Sequence, residues 1–310
     1  VVVFGSSAMD VHGAVERLPE SEEHMYVEEI GRYPGGMGAN VAIALARLGV
    51  QAAFSGKIGS DSPGRRLLES LREGHVDISN IIVGAPRSLQ TLILVDKDGG
   101  RHLLTLGSPS AAISIASPGE VNWELVKRTR IVYIGEVFVE VASSIASFAR
   151  THGKTVIYRP GIPYLRFGVE RVHGVLEHAD IFMLNSVGWR ILRESSKERI
   201  ETMADLLKYG PSAVILTRGP YGCEVHTRDE RFAMPVPDSL RNRFKVVHPT
   251  GAGDGLTAGV IKRLLEGRDL REAVSYGQLV AIMTCSRLGA APAFPTAEEV
   301  EDALKNEKLG

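Results

Sequence analysis

Hydrophobic positions along the chain follow two alternating rhythms. Short apolar runs at 1–4, Ile131–Ile134, Thr155–Tyr158, 180–184 and Ala213–Thr217 have the length and β-branched content of buried strands. Between them, apolar residues recur three and four positions apart. Val41, Ala44, Leu45 and Leu48 form one such stripe, closed by Gly49. Leu256, Val260, Ile261, Leu264 and Leu265 form another, closed by Gly267. Helices are also predicted over 63–73, 141–150, 169–178, 186–194, 199–209, 269–285 and 296–305. Capping-box spacing occurs at Ser117 with Glu120, Asp269 with Glu272, and Thr296 with Glu299. Strands alternating with helices predict a mostly parallel sheet covered on both faces.

Two stretches break this rhythm. Residues 11–34 weaken into polar, strand-like pieces around Met25-Tyr26-Val27, with Pro19 as a breaker. Residues 88–95 and Arg101–Leu106 read as strands flanking the turn Asp96-Lys97-Asp98-Gly99-Gly100. Segments 11–34 and 88–106 are expected to form a small β-sheet lid on one domain spanning 1–310. A β-hairpin is predicted over 224–227 and 231–235, and a short strand over 244–247.

Composition narrows the function classes. The 310 residues are 44% hydrophobic and 24% charged, with a net charge of −1 and no charge block, which argues against nucleic acid or an anionic membrane as the main partner. Two cysteines far apart in sequence argue against a disulfide framework and fit a reducing cytoplasm. The nine histidines include no H-x-x-x-H pair, so no zinc-type cluster is expected.

Two glycine-rich turns carry the candidate chemistry. Thr250-Gly251-Ala252-Gly253-Asp254 leads into the second helical stripe. Small residues at a helix N-terminus let backbone N–H groups approach an anion, and the dipole favours negative charge there. A carboxylate at Asp254 beside such a site reads either as a base acting on a hydroxyl next to a phosphate or as a helix cap. The other turn, Gly35-Gly36-Met37-Gly38-Ala39-Asn40, opens the first stripe and suits close approach to a polyhydroxyl ligand. The Gly251 turn is not a dinucleotide fingerprint, because the sixth position from Gly251 is Leu256. No Walker loop is present either: Gly153-Lys154-Thr155 has Phe148 where the first glycine belongs.

With both turns placed, the chain resembles the ribokinase-like (PfkB) family of carbohydrate and nucleoside kinases over nearly its whole length. Thr217-Arg218-Gly219-Pro220-Tyr221-Gly222 is similar to that family's nucleotide loop, and Gly289-Ala290-Ala291-Pro292 with Pro295-Thr296 to its C-terminal segment. The resemblance implies a ribokinase-like three-layer αβα fold with a β-sheet lid that also serves as a homodimer contact. It implies ATP and Mg2+ as cofactors and a sugar or nucleoside as small-molecule partner. It implies Asp254 as catalytic base and Gly251, Ala252 and Gly253 as anion hole. Asp10, Gly36, Met37, Asn40 and Glu136 fall at substrate positions, and Asn185, Thr217, Gly219 and Gly222 at nucleotide positions. Arg159 stands where the family often has Asn or Asp, and reads as a clamp for a substrate or ATP phosphate or as the partner of a nearby acid. The family's metal-organising glutamate is replaced by Gly188, the Asp opening its D-T-x-G-A-G-D motif by His248, and a lysine common in ribokinases by Met37. No protein metal ligand is therefore assigned, and the metal is expected to rely on water and ATP phosphates or on an acid from elsewhere. A binding protein without turnover on the same scaffold is the alternative reading.

Overall fold

The computed structural model describes every residue except Pro86, Gly99, 107–113 and 308–310. Gly99, in the expected lid turn, lies outside the described residues. The short apolar runs assemble into an eight-stranded sheet. Its order is Arg231–Met234, Cys223–Thr227, Ala213–Thr217, Ile181–Asn185, Thr155–Tyr158, Ile131–Ile134, Val2–Phe4 and Ala53–Ser55. The pairs from Ala213–Thr217 through Ala53–Ser55 are parallel. The hairpin at the far edge is antiparallel.

Strand alternation sorts the side chains onto two cores. Val3, Tyr133, Ile157, Met183 and Ile215 face one layer, with the helices Met37–Arg47, Ala252–Leu265 and Leu270–Cys285. Val2, Phe4, Val132, Tyr158, Phe182 and Val214 face the other, with Val139–Thr151 and Gly168–Leu176. Such near-continuous apolar strands are what a sheet covered on both faces requires.

A separate four-stranded sheet runs in the order Glu28–Gly35, Ala8–Ala14, Leu89–Val95, Arg101–Leu106. Residues opposite one another share a face. Asp10 lies across from Tyr33 and Thr91, and Thr91 from Thr105, on the side where Asp10 is buried. Val11, Leu92 and Leu104 form a cross-strand row on the opposite side.

Local readings needed correction where tertiary bonds win. The segment 244–247 is not a strand. It follows the helix Asp238–Arg243, and the Val247 and His248 N–H groups both donate to the Cys285 carbonyl. Residues 25–27 lie outside any strand, and the pairing partner of Ala8–Ala14 is Glu28–Gly35 instead. Ser117 does not cap a helix. Pro118–Glu120 is one 3₁₀ turn, Glu120 pairs with Lys57, and Asn122 caps Trp123–Arg128. At 199–209 only Met203–Tyr209 is helical, as a 3₁₀ helix. The capping box at Thr296 and Glu299 forms reciprocally, at 2.7 and 3.3 Å.

Candidate active site

Parallel strands end on the same side of a sheet, and in such sheets ligands bind in the crevice outside those ends. Here the ladder runs one residue beyond the strands. Gly135 N–H donates to the Phe4 carbonyl at 2.8 Å and Arg159 N–H to the Ile134 carbonyl at 2.9 Å. Glu136 and Arg159 therefore emerge at fixed positions side by side. The helix Ala252–Leu265 meets them from one layer. Its N-cap, Gly251, has φ 88°, a left-handed conformation that glycine adopts without steric cost.

Asp254 does not cap that helix. Its Oδ1 accepts from Arg159 Nη1 at 2.7 Å and its Oδ2 from Asn40 Nδ2 at 2.9 Å, in a buried setting. The acid-pairing alternative for Arg159 is thus the contact observed. Asn40, from the helix Met37–Arg47, lies 214 positions away in sequence, so the fold alone brings the two glycine-rich turns together. The Ala252 N–H makes a long 3.3 Å bond to Pro249, and those of Asp254 and Gly255 turn back on the Gly251 carbonyl.

A second acid cluster adjoins the first. Ser6 Oγ donates to Glu136. Burial, and then the charge of Asp254, push the Glu136 carboxyl above its usual range. Burial also pushes Asp10 up, to about 7, with the charges of Asp254 and Glu136 adding to the effect and Arg101 opposing it. Glycines make the room. A β-carbon on Gly35 would fall 2.2 Å from Asp10 Oδ2, and one on Gly161 2.7 Å from Glu136 Oε1. Gly36, with φ 92°, would drive a β-carbon to within 2.7 Å of the Ser7 backbone. Met37 is the first residue of the following helix, half-buried.

Several residues beside the site have no local sequence signal. Arg101, on the edge strand of the four-stranded sheet, donates to Thr250 Oγ1 at 3.0 Å and lies near Asp10. The His12 ring lies 5.0 Å from that of His248 and 5.4 Å from that of Tyr33. Burial, followed by the neighbouring His248 and Arg101, lowers the His12 pKa to about 4. The alternation of His12 with Asp10 along one strand was the only available pointer.

The nucleotide candidates form a second, shallower group. Asn185 and Thr217 are the paired last residues of adjacent strands. Asn185 Oδ1 caps the helix Ser186–Ser195 by accepting from Gly188 N–H at 2.7 Å. Gly219 and Gly222, with φ 55° and 85°, frame a 3₁₀ turn after Thr217. A side chain at Gly188 would bring its β-carbon to 2.8 Å from Leu165 Cδ1, so the end of the Leu165 side chain would have to shift to admit an acid there. Among the described residues, no cluster of three or more His, Cys, Asp or Glu could hold a metal ion. No helix of these residues is long and apolar enough to cross a membrane.

Comparison with known proteins identifies the family and the fold. The chain is 28% identical over 320 residues to Fructokinase-1 of Oryza sativa subsp. japonica, covering 97% of this chain and 96% of that one. It superposes on the ribokinase of Thermotoga maritima with a TM-score of 0.82 at 23% identity, covering 98% of each chain. The Arabidopsis thaliana ribokinase complexed with ribose and ATP gives 0.81 at 24% identity, again with 98% of each chain covered. The family description "pfkB family carbohydrate kinase" matches residues 1–297. The chain belongs to the pfkB family of carbohydrate kinases, phosphotransferases with an alcohol group as acceptor.

Proposed function

We propose that this chain transfers the γ-phosphoryl group of magnesium ATP to a hydroxyl of a neutral sugar, with ketohexoses such as fructose the first acceptors to test. The observation that carries the reading is the placement of Asp254. It is a buried carboxylate held at both oxygens, in the first turn after Gly251, Ala252 and Gly253. Asp254 takes the hydroxyl proton, and the N–H groups of the glycine turn hold the transferred phosphoryl group. Phosphoryl transfer asks for this division, since positioning and charge neutralisation dominate its barrier.

Asp10, Asn40 and Glu136 hold the acceptor hydroxyls, with Gly36 and Met37 as the backbone edge of that pocket. Asn185, Thr217, Gly219 and Gly222 line the nucleotide. The carboxyls of Asp10, Glu136 and Asp254 gather around the acceptor as hydrogen-bonding groups, which favours a neutral polyol over a sugar phosphate. Mg2+ enters as part of the nucleotide substrate, bound through the ATP phosphates. Two unpaired cysteines, Cys223 and Cys285, support a reducing compartment such as the cytoplasm.

The test is ADP release from ATP and Mg2+ across hexoses, pentoses, sugar phosphates and ribonucleosides, with Asp254→Asn run in parallel. Release that needs a neutral sugar and Asp254 supports the reading. A nucleoside-only response defeats the acceptor assignment, and no release with any acceptor defeats the kinase reading.

The lid is also proposed as a homodimer contact. Its outer row Val11–Leu92–Leu104 is apolar, and Leu104 and Leu106 are 47% and 53% exposed. Light scattering should show a dimer that Leu104→Lys converts to monomer. A monomeric wild-type chain at micromolar concentration would refute this contact.

A further inference from the structure

Arg159 touches two parts of the site at once. Its Nη1 lies 2.7 Å from Asp254 Oδ1, and its Nη2 lies 2.5 Å from the position that a β-carbon on Gly253 would take. The guanidinium therefore reaches from the base to the glycine turn, with its side chain only 18% exposed. The fully buried Tyr133 lies within electrostatic reach of it. We propose that Arg159 is a shared cation, neutralising Asp254 before transfer and the moving phosphoryl group during it. The inference rests on the kinase reading above.

Transfer breaks the bond between the γ-phosphorus and the bridging oxygen to the β-phosphate. It forms a bond between the γ-phosphorus and the acceptor oxygen. The hydroxyl proton passes to Asp254, and ADP leaves with the electron pair of the broken bond. As Asp254 takes the proton it becomes neutral, and its hold on Arg159 weakens. At that moment negative charge on the phosphoryl oxygens lies against Gly253, beside Nη2. A planar guanidinium, charged at every working pH and carrying five N–H donors, faces both partners together. An ammonium is a point charge and serves one of them. The second interaction exists only while the phosphoryl group is in transit, so it raises kcat without lowering KM. An arginine that merely anchored Asp254 would contribute before transfer and nothing more.

The experiment compares the full-length wild type with Arg159→Lys and Arg159→Gly, using the acceptor found in the ADP-release panel. Arg159→Lys should keep KM for both substrates within about threefold while kcat falls about 100-fold, as for loss of one preorganised donor. Added guanidinium, but not methylammonium, should restore kcat of Arg159→Gly at least about tenfold. Wild-type kcat in Arg159→Lys would overturn the proposal, because a point charge on the base would then suffice. A loss in Arg159→Gly that guanidinium fails to repair would also overturn it. If Arg159→Gly does not fold, the split between kcat and KM in Arg159→Lys decides alone. No ADP release from the wild type with any acceptor would sink the kinase reading and this inference with it. Release that persists unchanged in Arg159→Lys would sink only the inference.

Discussion

The proposed acceptor end and the proposed nucleotide end of the cleft are built on opposite plans. At the acceptor end, buried and half-buried side chains from five separate segments interlock: Ser6, Asn40, Glu136, Arg159 and Asp254. At the nucleotide end, Asn185 and Gly219 are exposed, Tyr221 is 71% exposed, and the local bonds are turns and a cap made within a few residues. Charge can be held ready at the first end because burial strengthens every electrostatic contact there, at a cost in stability. The second end is mostly backbone, which suits a donor that brings its own charge and metal. The comparison teaches that selectivity and proton chemistry should be concentrated where the side chains are locked together.

The largest effect expected is at the locked end. Asp254→Asn should lower turnover by about 10²–10⁴ while ATP affinity stays within a few-fold, because only the proton acceptor is lost. Steady-state ADP release and calorimetric ATP binding check the two halves. Near wild-type turnover would erase the distinction between the ends.

Asp10 gives an intermediate effect and a test by pH. Its folded pKa, about 7, lies above its ordinary 3.8, so the folded state carries the extra proton between those values. Stability is therefore lost as pH rises from about 4 through 7, by up to about 4 kcal/mol. Asp10→Asn should flatten that part of the urea-unfolding profile and raise stability above pH 8. It should also weaken the acceptor about tenfold in KM, since an ionised hydrogen-bond partner is lost. A variant less stable than wild type at pH 8 would show that burial does not disfavour the Asp10 charge.

The smallest effect is expected at the open end. Asn185→Ala removes a helix cap worth about 1 kcal/mol, seen as a small drop in melting temperature, and should change KM for ATP only a few-fold. A loss of ATP binding as severe as the Asp254→Asn loss of turnover would mean that the nucleotide end depends on side chains after all.

Legibility in the sequence follows the range of the interactions. The central strands and the long helices were readable because their signal is local: a period of 2 or 3.6 over a few residues. The glycine turns were readable because close approach and positive φ leave few residue choices, as at Gly36 and Gly251. The small sheet was readable as two strand-rich segments, but its order was not. Glu28–Gly35 and Leu89–Val95 both pair with Ala8–Ala14, and no local pattern encodes partners tens of residues away. The same reason hid Arg101, which reaches Thr250 across 149 positions.

The sequence by itself determined the layered α/β architecture, the two glycine turns and the presence of an acid after the second. Each of these rests on interactions that close within one turn or one strand. Only the tertiary structure decided what that acid touches. Asp254 could have capped its own helix, and Arg159 could have faced an empty crevice. Their 2.7 Å contact exists because parallel strands deliver Arg159 and Glu136 to one edge, while a helix from the opposite end of the chain delivers Asp254 to the same place.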